Sequence, residues 1–117
     1  MNYTGSHTPE YRLEEARKYS RLADAQISKR YTSWKSRNEP KRLRVGMVSG
    51  DLRNHPVGFF LESLLAHIDP ARIELIAYSA VHTTDALSTR IKPHFSKWKS
   101  LAGLSDEGAA RMIHDDG

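Results

Sequence analysis

The chain has 117 residues, 38% of them apolar and 27% charged, with a formal net charge of +4 and no cysteine. That length allows one ordinary domain or part of a larger one, with a modest core. The lack of cysteine excludes a disulfide framework and thiolate chemistry. No apolar run approaches the ~20 residues that span a bilayer, and Met1–Ser6 lacks the basic and apolar regions of a secretory signal, so a cytoplasmic location is expected.

Thr8-Pro9-Glu10 reads as a helix start, with a hydroxyl cap, proline in the first turn and an acid behind it. From Glu10 to about Trp34 no proline or glycine intervenes, and Leu13, Ala16, Tyr19, Leu22, Ala23, Ile27 and Tyr31 recur at spacings that predict a long surface helix. Ser36-Arg37-Asn38-Glu39-Pro40 breaks it, so residues 1–40 are expected to be a connector helix and linker, and 41–117 the main unit. Between Lys29 and Arg44 lie Lys29, Arg30, Lys35, Arg37, Lys41, Arg42 and Arg44 against the single acid Glu39. Such a run can meet phosphates. A solvated linker explains it more simply, because no nucleic-acid-binding signature follows.

Beyond the linker the pattern changes. Leu43–Ser49 and Ile73–Ser79 read as short buried strands, and Ser96–Leu101 as a third, partly exposed one. Helices are predicted over Val57–Ile68, Ala86–Lys92 and from Ser105, as cap, to about His114. In the first of these Phe59, Phe60, Leu64, Leu65 and Ile68 can share a broad buried stripe. Strands separated by helices of this length imply a parallel α/β sheet built by right-handed crossovers. Tyr78 and Trp98 are expected to pack from that sheet onto helices. In a doubly wound sheet the first strand is central. A chain that stops at Asp115-Asp116-Gly117 would leave Leu43–Ser49 with an open edge, so a partial fold, completed by something else, is expected.

Ligands bind beyond the carboxyl ends of strands in open α/β sheets, and there the sequence places Gly50-Asp51-Leu52-Arg53-Asn54-His55-Pro56. His55, at the mouth of a predicted helix, could serve as a base or a hydrogen-bond donor near neutral pH, or simply cap the helix ahead of proline. Asp51 could orient that imidazole or meet a ligand hydroxyl, or merely stabilise the turn. Gly46, Gly50 and Gly58 form neither a dinucleotide fingerprint nor a P-loop. The histidines at 7, 67, 82, 94 and 114 lack paired metal-ligand spacing, so no metal site is expected.

The run Leu43-Arg44-Val45-Gly46-Met47-Val48-Ser49-Gly50-Asp51-Leu52-Arg53-Asn54-His55-Pro56 closely resembles the start of the catalytic region in bacterial O-linked N-acetylglucosamine transferases of the SPINDLY-like family. The similarity continues through Phe60-Leu61-Glu62, Ile73–Ser79 and Trp98–Gly117, and Asn2-Tyr3 with the long helix resembles the connector that follows the family's tetratricopeptide repeats. The resemblance implies the first part of the amino-terminal, Rossmann-like lobe of a two-lobed GT-B glycosyltransferase. Such enzymes move N-acetylglucosamine from UDP, or fucose from GDP in some relatives, to protein Ser or Thr hydroxyls with inversion and without a further cofactor. His55 matches the family's cleft histidine and becomes the candidate catalytic residue, with Asn54 and Asp51 as candidate substrate contacts. The lobe that holds most of the donor nucleotide has no match in this chain, so one wall of a site is expected and the chain alone should be inactive. A non-catalytic protein-interaction module is the alternative reading, and a nucleic-acid binder a weaker one.

Overall fold

A computed structural model describes residues 7–27, 29–35 and 41–117. The break expected at Ser36–Pro40 and the opening Asn2-Tyr3 lie outside the described residues. The chain divides into two compact units, one within Met1–Ser33 and the other within Trp34–Gly117.

The first unit is built on helix α1 (Pro9–Ala25). Thr8 Oγ1 accepts the Tyr11 N–H at 3.2 Å, Pro9 occupies the first turn where no N–H is needed, and Glu10 faces the positive end of the helix dipole. None of its side chains is buried, and Tyr19 and Leu22 are 75% and 60% exposed. The helix ends at Ala25, with Gln26 as its C-cap, and does not run to Trp34 as the periodicity predicted. Its last turn has no basic residue to meet the carbonyl end. Beyond it Ile27, Tyr31, Thr32 and Trp34 are β-branched or aromatic side chains that lose χ1 freedom in a helix. Apolar spacing alone did not hold those turns.

The second unit is a three-stranded parallel sheet in the order β1 (Leu43–Ser49), β2 (Ile73–Ser79), β3 (Lys97–Ser100). Helix α2 (Pro56–Leu65) connects the first pair. Helix α3 (Ala86–Ile91) and a 3-10 turn at Lys92–His94 connect the second, and helix α4 (Asp106–Asp116) follows β3. The two longer strands coincide with the predicted apolar runs, and the parallel α/β class is as expected.

Strand β2 is buried on both faces, and its alternation divides the core in two. Leu75 and Ala77 join Leu52, Leu65 of α2, and Leu87 and Ile91 of α3, with Phe95 beside them. Ile76 and Tyr78 point the other way, onto Leu101 and the Ala109, Met112 and Ile113 side of α4. Burial of a residue such as Leu65, Leu87 or Ile91 contributes roughly 1.5–3 kcal/mol. Trp98 meets Phe95 edge to face at 5.4 Å and carries the Lys92 ammonium over its ring.

Strand β1 lies at the sheet edge among the described residues, and its Leu43 and Val48 are more than half exposed. The broad stripe predicted for α2 is narrower in the structure. Gly58 and Leu65 are buried and Leu61 and Ile68 half-buried, whereas Phe59, Phe60 and Leu64 are 52%, 72% and 44% exposed. The helix ends at Leu65, short of the predicted Ile68; at 100° per residue, positions 58, 61 and 65 form one line against the sheet, and 57, 60 and 64 form the neighbouring line, turned outward.

Candidate functional site

All three strands end in serine at one level, Ser49 beside Ser79 and Ser79 beside Ser100. Each hydroxyl meets the backbone two residues on. Ser49 Oγ accepts the Asp51 N–H at 3.0 Å, Ser100 Oγ accepts the Ala102 N–H at 3.3 Å, and Ser79 Oγ donates to the Val81 carbonyl at 3.0 Å. These hydroxyls turn the chain out of the sheet. The chemistry at this rim therefore falls to the loops that follow.

After β1 the loop folds tightly onto the start of α2. Arg53 Nε donates to the Gly50 carbonyl at 3.0 Å, and Leu52 tucks under the turn with 1% exposure. A side chain at Gly58 would place its Cβ 2.1 Å from the Arg53 carbonyl oxygen, 3.0 Å from that of Asp51 and 2.9 Å from Leu87 Cδ2. Only glycine lets helix, turn and α3 approach so closely.

His55 is the N-cap of α2. Its backbone is extended, with φ −153° and ψ 152°, and its Nδ1 accepts the Val57 N–H at 3.2 Å. Pro56 follows at the first helical position, where its missing N–H costs nothing. A ring nitrogen that accepts an N–H carries a lone pair, so the neutral imidazole in this geometry holds its proton on Nε2. The side chain is 38% exposed, and Nε2 meets no hydrogen-bond partner among the described residues. Asp51 stands beside it, with Oδ2 3.8 Å from Nδ1 and Oδ1 3.9 Å from Arg53 NH2. Neither distance is a hydrogen bond.

The structure thus brings Asp51 and His55 together. The Asn54 side chain is exposed, and what engages is its backbone N–H, which donates to Asp85 Oδ2 at 2.6 Å. Asp85 comes from the polar loop before α3 and is the residue at this rim that sequence reading missed. Its Oδ1 accepts the Ser88 N–H at 2.9 Å, its own N–H donates to Ser88 Oγ at 2.7 Å, and together these bonds cap α3. The backbone N–H groups of Ser88 and Asn54 hold the Asp85 carboxyl below the usual carboxylate range. Asp85-Ala86-Leu87-Ser88, an Asp-x-x-Ser capping pattern, carried the local half of this signal; the link to Asn54, 31 residues away, had none.

A second polar knot lies on the α4 side of the sheet. Asp116 accepts the Tyr78 hydroxyl at 2.6 Å and the Lys99 ammonium at 2.6 Å, and its carbonyl accepts Arg44 NH1 at 2.7 Å. Burial and then the hydrogen bond to Asp116 push the Tyr78 phenol up to about 12. Burial also works to raise the Asp116 carboxyl, but the bonds from Lys99 and Tyr78 outweigh it and hold the group below the usual range. Within the basic run, Arg44 also pairs with Glu74 at 3.3 Å and Arg30 with Asp24 at 3.0 Å, so two of its charges already have acidic partners. Among the described residues no three His, Asp or Glu side chains gather as a metal site, and no helix is long and apolar enough to cross a membrane.

The second unit is thus a parallel α/β unit with a tight polar turn beyond its first strand, presenting a histidine at the carboxyl rim. The profile of Glycosyl transferase family 41 matches residues 6–117, and the chain belongs to that family. It is 31% identical over 121 residues to the probable UDP-N-acetylglucosamine-peptide N-acetylglucosaminyltransferase SPINDLY of Solanum lycopersicum, covering 99% of this chain and 13% of that relative. A UDP-N-acetylglucosamine-peptide N-acetylglucosaminyltransferase of Giardia intestinalis is 32% identical over 80 residues, 64% of this chain and 5% of the relative. Among solved structures, a mutant of the Thermobaculum terrenum O-GlcNAc transferase superposes with a TM-score of 0.84 at 31% identity, covering 98% of this chain and 22% of that one. The chain therefore spans 13% of the length of this SPINDLY relative.

Proposed function

We propose that these residues form part of a protein O-glycosyltransferase that moves N-acetylglucosamine from UDP to Ser or Thr hydroxyls with inversion, and that His55 acts in that reaction as a hydrogen-bond donor through Nε2. The observation that supports the second half is the helix cap: with Nδ1 accepting from Val57, the neutral ring offers an N–H outward. A general base would need the opposite tautomer, at the expense of the cap. A fixed donor aimed at an oxygen that gains charge as the sugar transfers stabilises the transition state without reorganisation. Asp51 adds negative charge beside the ring, and Asn54 is the candidate for a ligand contact through its exposed amide. Donor, acceptor and His55 must be held together for transfer, so the 117 residues alone are expected to show none. Sugar transfer by the purified chain would overturn that expectation.

The test separates capping from chemistry. Asparagine is among the best N-cap residues, so in a complete family enzyme containing this segment His55→Asn keeps the cap and removes Nε2–H. Turnover is expected to fall by about 100-fold or more, with the melting transition unchanged. Unchanged turnover would leave His55 as a capping residue only. The exposed Tyr11, Leu13, Tyr19 and Leu22 of α1 favour a second role in protein contact, for which co-purification with one partner at constant stoichiometry is the check.

A further inference from the structure

We infer that Asp85 is a positioning residue for His55, which extends the proposed reading of that histidine to a residue of the second crossover. A helix cap alone asks for one acceptor, and serine, threonine or asparagine would supply it. Asp85 supplies two, and they point to different elements. Oδ1 takes the Ser88 N–H and so is fixed by α3, whose Leu87 and Ser88 are each 2% exposed. The carboxylate plane is then set, and Oδ2 takes the N–H of Asn54, the residue immediately before His55. Thr89 Oγ1 and Ser88 Oγ both donate to the Asp85 carbonyl, so the residue has little freedom to swing away. Two residues beyond Asp85, Leu87 Cδ2 lies against Gly58, so the Asp85–Leu87 segment meets the chain on both sides of His55. The carboxylate thus ties the buried start of α3 to the backbone that aims the imidazole.

The substitution series follows from acceptor count and reach. Asp85→Ser keeps an acceptor for the Ser88 N–H but is too short to reach Asn54. Asp85→Asn keeps the length with a single acceptor oxygen, and Asp85→Ala removes both bonds. In the ¹⁵N-labelled 117-residue chain, Asp85→Ser is expected to preserve hydrogen-exchange protection at Ser88 while exchange at Asn54 rises about tenfold or more. The His55 ring ¹⁵N signals should move toward a mixture of tautomers. Asp85→Asn should fall between Asp85→Ser and the native chain at Asn54, and should keep α3 folded if serine does not. Native Asn54 and His55 signals in Asp85→Ser would overturn the inference, as would changes that occur only when Ser88 protection is lost with them. In the complete enzyme Asp85→Ser is expected to lower kcat by roughly tenfold to a hundredfold with KM for the donor little changed. Loss of turnover with His55→Asn but not with Asp85→Ser defeats the role of Asp85 alone. A shifted His55 ring signal in Asp85→Ser, with full turnover in His55→Asn, defeats instead the functional reading of the histidine.

Discussion

The turn from Gly50 to Gly58 and the knot around Asp116 are both dense in polar side chains, and they differ in what they leave over. In the knot, each carboxylate oxygen of Asp116 has a donor, its carbonyl has another, and its side chain is only 14% exposed. The Tyr78 hydroxyl is likewise engaged on a residue 2% exposed. In the turn, the backbone is fixed from several directions, yet the His55 ring stays 38% exposed with Nε2 unmatched among the described residues, and the Asp51 carboxylate shows only the long contacts to His55 and Arg53. A polar group that the fold has satisfied serves the fold. A rigidly held group that the fold leaves unsatisfied at an open rim is available to a ligand.

Substitutions can break or sharpen this contrast. The largest effect is expected at Gly58→Ala. The new Cβ meets backbone oxygens that cannot swing aside, so the cost should reach about 3 kcal/mol or more, above most overpacking changes. A urea titration of the chain measures it, and a loss under ~1 kcal/mol would show that the turn is looser than its geometry. Next comes Asp116→Ala, which strands the buried Tyr78 hydroxyl and frees Lys99. Loss of hydrogen bonds to a charged acceptor costs on the order of 2 kcal/mol.

That stability has a pH signature. The Asp116 carboxyl titrates lower in the folded chain than in the unfolded one. Its contribution is therefore complete above the ordinary carboxylate range and is lost as pH falls through the lowered folded value. Asp116→Ala should flatten this part of the acid stability profile, and an unchanged profile would remove Asp116 as an anchor. A smaller effect belongs to Tyr78→Phe, about 1 kcal/mol at neutral pH. The raised tyrosine contributes fully below pH ~10 and loses its contribution as pH rises through about 12. Phenolate absorbance should lose a step near pH 12 in Tyr78→Phe, and loss of a step at the ordinary tyrosine value would contradict the buried hydrogen bond.

The same contrast explains what could be read in advance. Leu43–Ser49 and Ile73–Ser79 were legible because parallel strands are apolar runs bounded by polar turns. The helical boundaries that erred did so where spacing alone does not decide: α1 stopped before the β-branched and aromatic run of Ile27, Tyr31, Thr32 and Trp34, and α2 turned Phe60 outward because the sheet accepts only one line of its side chains. Asn54-His55-Pro56 stood out because cap, proline and apolar helix are adjacent in sequence. Asp85 to Asn54 and Asp116 to Tyr78 were not legible, since 31 and 38 residues separate partners that only the folded sheet brings together.

The central claim is that the turn after β1 commits Nδ1 of His55 to the helix and presents Nε2–H at the rim. Long-range ¹H–¹⁵N NMR of the imidazole in the 117-residue chain at neutral pH, with the Val57 amide as reference, tests it directly. The expected result is a neutral ring protonated at Nε2, with Nδ1 unprotonated and the Val57 N–H protected from exchange. A ring protonated at Nδ1, with Val57 exchanging freely, would contradict it.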